Sequence, residues 1–110
     1  MECRRTLIVL SVENRCYDDI IKTLTEVFPL NFWAFIYHDN EKLCPHYHVY
    51  LDFGADTFET SYLAEIFNTS VCNVVPCSAF TRDCLLYMLQ NGGYDKKDII
   101  SNFNINYYLM

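Results

Sequence analysis

All three histidines of the chain fall in one stretch, His38-Asp39-Asn40-Glu41-Lys42-Leu43-Cys44-Pro45-His46-Tyr47-His48. If the residues before His38 and after Pro45 are strands, the turn formers Asp39-Asn40 and Pro45 make a hairpin connection that sets His38 beside His46. Residues two apart on a strand share a face, so His46 and His48 project together while Tyr47, Val49, Leu51 and Phe53 line the other side. Imidazole nitrogens with one carboxylate form a borderline donor set suited to Mn²⁺, Zn²⁺ or, less well, Mg²⁺. His38, Glu41, His46 and His48 are the expected ligands, and Asp39 competes with Glu41 for the carboxylate position. A His-x-His pair alone is more often ordinary strand surface; the third histidine across the hairpin and the acids between them favour a metal.

The elements that must hold these residues follow from periodicity. Arg5 to Glu13 reads as a buried strand rich in β-branched and aliphatic residues. Tyr17, Ile20, Ile21, Leu24, Val27 and Phe28 recur at helical spacing, with Pro29 just past the end. Strands follow over Phe32 to Tyr37 and His46 to Phe53. Thr57 is placed to cap a second helix bearing Phe58, Tyr62, Leu63, Ile66 and Phe67, and Val71 to Val75 reads as a fourth strand ended by Pro76. Ser78 is placed to cap a third helix running to about Gln90, with Phe80, Cys84, Leu85 and Met88 on its apolar face and Asn91-Gly92-Gly93 closing it. The first six elements match the split β-α-β pattern of ferredoxin-like domains. That is an α+β fold with a four-stranded antiparallel sheet and two helices on one face. The third helix is then the only element left to cover the histidine face, and it carries Tyr87. The histidine side chains are expected to lie clear of the core.

Composition bounds the rest. With 110 residues, 52% of them hydrophobic, the chain is read as a single domain over residues 1–110, long enough to bury one core. The apolar run Thr6 to Val12 is too short for the core of a secretory signal, and no run approaches the roughly 20 apolar residues that span a bilayer. A soluble protein of the cytoplasm is therefore expected, without a membrane partner and with Cys3, Cys16, Cys44, Cys72, Cys77 and Cys84 reduced. A formal charge of −6 argues against broad non-specific nucleic-acid binding, which depends on basic residues neutralising phosphates. Any DNA contact must be local or metal-assisted. Arg4, Arg5, Arg82, Lys96 and Lys97 are the basic residues assigned to it.

Pro45-His46-Tyr47-His48, preceded by His38-Asp39-Asn40-Glu41, resembles the His-hydrophobe-His metal motif of rolling-circle replication initiators, above all those of small Gram-positive plasmids. Leu86-Tyr87-Met88-Leu89-Gln90 resembles the family's third motif, a tyrosine on a helix followed three residues later by a polar or basic side chain. Tyr94 to Phe103 resembles the segment after it, and Ser11-Val12-Glu13-Asn14 lies where the first motif ends, so the likeness covers roughly residues 5 to 103. Glu41 stands where relatives have Asp, and Gln90 where they have His or Lys. Gln90 could only orient a water or a phosphate oxygen. The resemblance implies an HUH endonuclease that nicks single-stranded DNA at a replication origin in its host cell, with Mn²⁺ or Mg²⁺ as cofactor. Tyr87 would be the nucleophile, forming a 5′-phosphotyrosine and releasing a 3′-hydroxyl. A phenol ionises only near pH ~10, so the nucleophile needs such a cation or a base beside it. Tyr94 is expected past the glycines in a flexible segment, less able to hold an attacking oxygen in line. Oligomerisation is compatible with the sequence.

Two other classes fit parts of the pattern. An open four-stranded sheet bearing Tyr50 could stack bases without catalysis, as RNA-recognition domains do, although that leaves the clustered histidines unexplained. A structural zinc site could use Cys44, His46, His48 and His38, although Pro45 between the first two disfavours a regular strand there.

Overall fold

Three seven-residue runs with apolar side chains in alternation dominate the architecture: Arg5–Ser11, Phe32–His38 and His46–Asp52. A computed structural model of the chain describes residues 1–12, 15–39, 45–89 and 93–109. In chain order its elements are β1 (Glu2–Cys3), β2 (Arg5–Ser11), α1 (Tyr17–Val27), β3 (Phe32–His38), β4 (His46–Asp52), β5 (Phe58–Glu59), α2 (Thr60–Ile66), β6 (Val74–Pro76), α3 (Thr81–Met88) and β7 (Ile100–Ser101). The result is a small α+β domain whose main sheet has the order β6-β2-β4-β3-β7, with every neighbouring pair antiparallel. It is compatible with a ferredoxin-like arrangement. No helix of the described residues is long and apolar enough to cross a membrane.

Alternation along the central strand β4 creates two apolar layers. Tyr47, Val49 and Leu51 join Ile8, Leu10, Phe35 and the buried residues of α1 and α2, Ile20, Leu24 and Leu63, in the larger core. Phe28 sits at its centre, with Phe53, Phe58 and Phe67 all within 6.0 Å ring to ring. On the opposite face Ala34, Ile36 and Tyr50 pack with Cys84, Leu85 and Met88 of α3. The division of strand faces therefore stands as expected.

Several details differ from expectation, each for a local reason. The sheet has five strands rather than the four expected, because Ile100–Ser101 pairs with Ala34 and Phe35. Helix α3 does not cover the second face alone: Ile99 and Leu109 are buried in the same layer, with Tyr94, Phe103, Ile105 and Tyr108 packed against it. Phe58–Glu59 pairs with Glu2–Cys3 instead of opening a helix at Thr57, so α2 begins at Thr60. Val71–Asn73 is a 3-10 turn, which shortens the last expected strand to Val74–Pro76. Cys77 donates its N–H to the Arg5 carbonyl, carrying the chain along the sheet before it turns. Helix α3 consequently starts at Thr81 rather than after Ser78, and Phe80 is exposed. Cys77 and Cys84 are joined in a disulfide, against the expectation of six thiols, because that course brings the strand exit under the first turn of α3. Cys3, Cys16 and Cys72 are free, and Cys44 lies outside the described residues.

Phe28 tests the larger core. Phe28→Ala should lower the unfolding free energy by about 3–5 kcal/mol in a denaturant titration. Tyr62→Ala, at a half-exposed ring beside the same cluster, should cost roughly 1 kcal/mol or less.

Candidate metal centre

The hairpin strands β3 and β4 are in register at His38–His46, and the same ladder sets Ile36 opposite His48. The three imidazoles come together on the face that carries α3. Ring centroids lie 5.2 Å apart for His38 and His46, 4.4 Å for His38 and His48, and 4.9 Å for His46 and His48. Each ring offers a nitrogen within 4.8 Å of the others.

Hydrogen bonding fixes the state of one ligand. His38 Nε2 lies 2.7 Å from the Met88 carbonyl oxygen, and a carbonyl only accepts, so Nε2 carries the hydrogen. Nδ1 of His38 is buried without a hydrogen-bond partner, which makes it the nitrogen that could bind a metal. A carbonyl partner on the far nitrogen is the arrangement that orients metal-binding histidines and raises their basicity. His46 Nε2 and His48 Nε2 stand 3.0 Å apart, close to the edge spanned by two nitrogens each about 2.1 Å from one ion.

Burial favours the neutral form of His38 and His48. The pKa of His48 is pushed down to about 4, first by burial and then by the neighbouring His38 and His46. That of His38 is lowered by burial, partly offset by its bond to Met88. Neutral imidazole is the form that binds metal, so these ligands need lose no proton at pH 7. The residues fit a borderline divalent ion.

The remaining expected site residues divide. Tyr87 is 64% exposed on α3, with its ring edge-on to His48 at 6.2 Å, and so shares the histidine face. Glu41 and Gln90 lie outside the described residues, as do Asn91 and Gly92. Asp39 does not join the cluster: its N–H donates to Tyr94 Oη at 3.0 Å, and that hydroxyl is 3.5 Å from Asp39 Oδ1. The basic residues are not gathered at the site. Arg4 donates to the Gly54 carbonyl, Lys96 to the Leu109 carbonyl, and Lys97 pairs with Asp95. Arg5 begins β2, whose other end, Ser11, is the residue beside His46, roughly 20 Å along the strand. Arg82 is exposed on α3 and lines a surface depression with Leu86 and Leu89.

Three corrections follow. His38 and His48, expected clear of the core, are buried at 0% and 5% exposure, because the C-terminal segment and α3 close over them. Tyr50 is wholly buried and 3.0 Å from Thr81 Oγ1, so it offers no stacking surface. Tyr94 is packed rather than loose: it stacks on His38 at 4.3 Å and 15°. Periodicity could not have located it, since α3 ends at Met88 and Tyr94 lies beyond it; an aromatic returning just after the helix was the available signal. No family model matches the chain, and no curated protein matches it.

The depressed histidines make stability depend on pH in a definite sense. Between the unfolded value near 6.5 and the folded value of about 4 for His48, the unfolded chain binds more protons, so metal-free stability falls as pH drops. The loss over this window should be on the order of 3 kcal/mol, complete near pH 4 and absent above pH 7. Urea titrations across that range should show it, and His48→Leu should flatten much of the slope.

Proposed function

We propose that the chain is a metal-dependent, single-stranded DNA endonuclease and strand transferase of the rolling-circle initiator type. The observation that carries this reading is the set of three converging imidazoles, two of them with a buried Nδ1 left unpartnered, on the same face as the exposed Tyr87. The strand order and the two helices on the larger core support a split β-α-β layout for the domain. Mn²⁺ or Mg²⁺ is the proposed cofactor, single-stranded origin DNA the substrate, and the host cytoplasm the setting.

When bound, a divalent ion supplies charge that polarises the scissile phosphate and favours an oxyanion nearby. His38, His46 and His48 would hold it. Tyr87, the residue before the Met88 whose carbonyl fixes His38, would supply the nucleophile. Its oxygen forms the new bond to phosphorus as the bond to the 3′ oxygen breaks; the phenol proton leaves to solvent and the departing 3′ oxygen is protonated. Conserving the phosphoester in this way allows the strand to be rejoined or transferred. Within this reading Gln90 orients a water or phosphate oxygen, and Glu41 completes the ligand set.

Tyr94 is the competing phenol. Its hydroxyl is engaged with Asp39 and its ring with His38, which suits a support for the ligand better than a nucleophile. Incubation with Mn²⁺ and single-stranded origin-type oligonucleotides, followed by intact-mass analysis, should reveal a covalent adduct with wild type and with Tyr94→Phe. It should reveal none with Tyr87→Phe, which should still bind Mn²⁺. His46→Ala, at the half-buried ligand, should lose Mn²⁺ binding and the adduct together. An adduct that persists in Tyr87→Phe and maps to Tyr94 would overturn the assignment.

A further inference from the structure

The disulfide between Cys77 and Cys84 lies one helical turn from the bond that holds His38. Cys84 and Met88 are four residues apart in α3, so they share a helix face, and both are buried in the layer on the metal side of the sheet. The Met88 carbonyl accepts from His38 Nε2 at 2.7 Å. The other half of the disulfide belongs to the sheet: Cys77 follows β6 and donates its N–H to the Arg5 carbonyl of β2. The disulfide therefore fastens the first turn of α3 to the strands. The last turn of the same helix fastens a candidate metal ligand.

Little else secures that first turn. Phe80, at the N-cap, supplies no side-chain hydrogen bond and is exposed. Among the described residues the turn makes one side-chain hydrogen bond, between Thr81 and Tyr50. A helix of eight residues is marginal by itself in water, so α3 depends on its attachments. The two cysteines also differ in access. Cys84 is buried, whereas Cys77 is half-buried and lines an open depression of about 560 Å³ with Arg4, Arg5 and Glu2. Two guanidinium groups against one carboxylate favour the approach of a thiolate to Cys77. In a reducing compartment such as the cytoplasm proposed above, a disulfide is a transient, redox-responsive bond.

We propose that Cys77 and Cys84 form a thiol–disulfide exchange site that gates the metal centre: opened by a dithiol reductant, it frees the first turn of α3, loosens the Met88 carbonyl from His38 and weakens the hold of the three histidines on a divalent ion. One thiolate of the reductant bonds to the Cys77 sulfur as the bond to Cys84 breaks, and Cys84 leaves as a thiolate that takes up a proton. The second thiolate of the reductant then displaces Cys77, which is protonated in turn. Two electrons pass to the protein, and the reductant ends as a disulfide. The gate rests on the metal centre of the proposed function and is independent of the nuclease chemistry.

The test measures the Mn²⁺ affinity of the whole chain by electron paramagnetic resonance of the free ion. Three samples are compared: oxidised protein, protein reduced and then freed of reductant under nitrogen, and Cys77→Ser, which cannot form the disulfide. Thiols are poor ligands for Mn²⁺, so the released cysteines do not compete for it. Amide hydrogen exchange follows α3 and β4 in the same samples. Oxidised protein should bind Mn²⁺ about tenfold or more tightly than reduced protein or Cys77→Ser, and Cys77→Ser should not respond to reductant. Amides from Leu85 to Leu89 should exchange faster once the disulfide is open, while those of Val49 and Leu51 stay protected. Equal Mn²⁺ affinity in oxidised and reduced protein would overturn the gate and leave the metal centre standing. Absence of Mn²⁺ binding in every sample would overturn both. Loss of protection in β4 together with α3 would overturn the gate by showing that the disulfide supports the whole fold. Alkylation of Cys77 and Cys84 in the oxidised sample without prior reduction would overturn the disulfide and the gate with it.

Discussion

The alternation of side chains along β4 is the constraint on which the rest of the molecule depends. The strand is hydrogen-bonded along both edges and covered on both faces, so none of its side chains can change sides without breaking a ladder. Tyr47, Val49 and Leu51 hold α1 and α2 on one side, while His46, His48 and Tyr50 face α3 on the other. One strand thus supplies both part of the larger core and two of the three clustered histidines. Errors in register would destroy both together.

A single hydrogen bond ties the metal face to the helix above it. The Met88 carbonyl accepts from His38 Nε2 at 2.7 Å, and Met88 follows Tyr87 in the chain. The bond sets the tautomer of His38, turns its lone pair inward and anchors the end of α3 beside the cluster. Stacking by Tyr94 holds the same ring from its face. Support through the far nitrogen and the ring is the arrangement that orients a histidine able to bind metal. Burial then favours the neutral form of His38 and His48, at the cost of stability in acid.

Much of this was legible in the sequence, and the reasons are physical. Strand parity and the turn residues Asp39 and Pro45 suffice to bring His38 beside His46, because register in a short hairpin is narrowly constrained. The larger core followed from periodicity in α1 and the three long strands. What escaped prediction depends on contacts between segments distant in sequence. Ile100–Ser101 pairs with β3 only because the C-terminal segment folds back over Ala34 and Ile36, and a two-residue strand leaves no periodic signal. The disulfide between Cys77 and Cys84 depends on where α3 starts, which the Cys77 bond to Arg5 decides. Tyr94 became visible as a support for His38 only once the chain beyond Gly93 was in place. The carboxylate expected from Glu41 and the side chain of Gln90 lie outside the described residues.

The central claim is that His38 presents Nδ1 to a divalent ion because Met88 holds Nε2–H. A long-range ¹H–¹⁵N correlation spectrum of the histidine rings, recorded at neutral pH before and after addition of the diamagnetic ion Zn²⁺, tests it directly. The account predicts His38 as the neutral Nε2–H tautomer in the free protein, with its Nδ1 resonance shifting on metal addition while Nε2 keeps its proton. A His38 found protonated on Nδ1, or a ring whose Nδ1 does not respond to saturating metal, would contradict it.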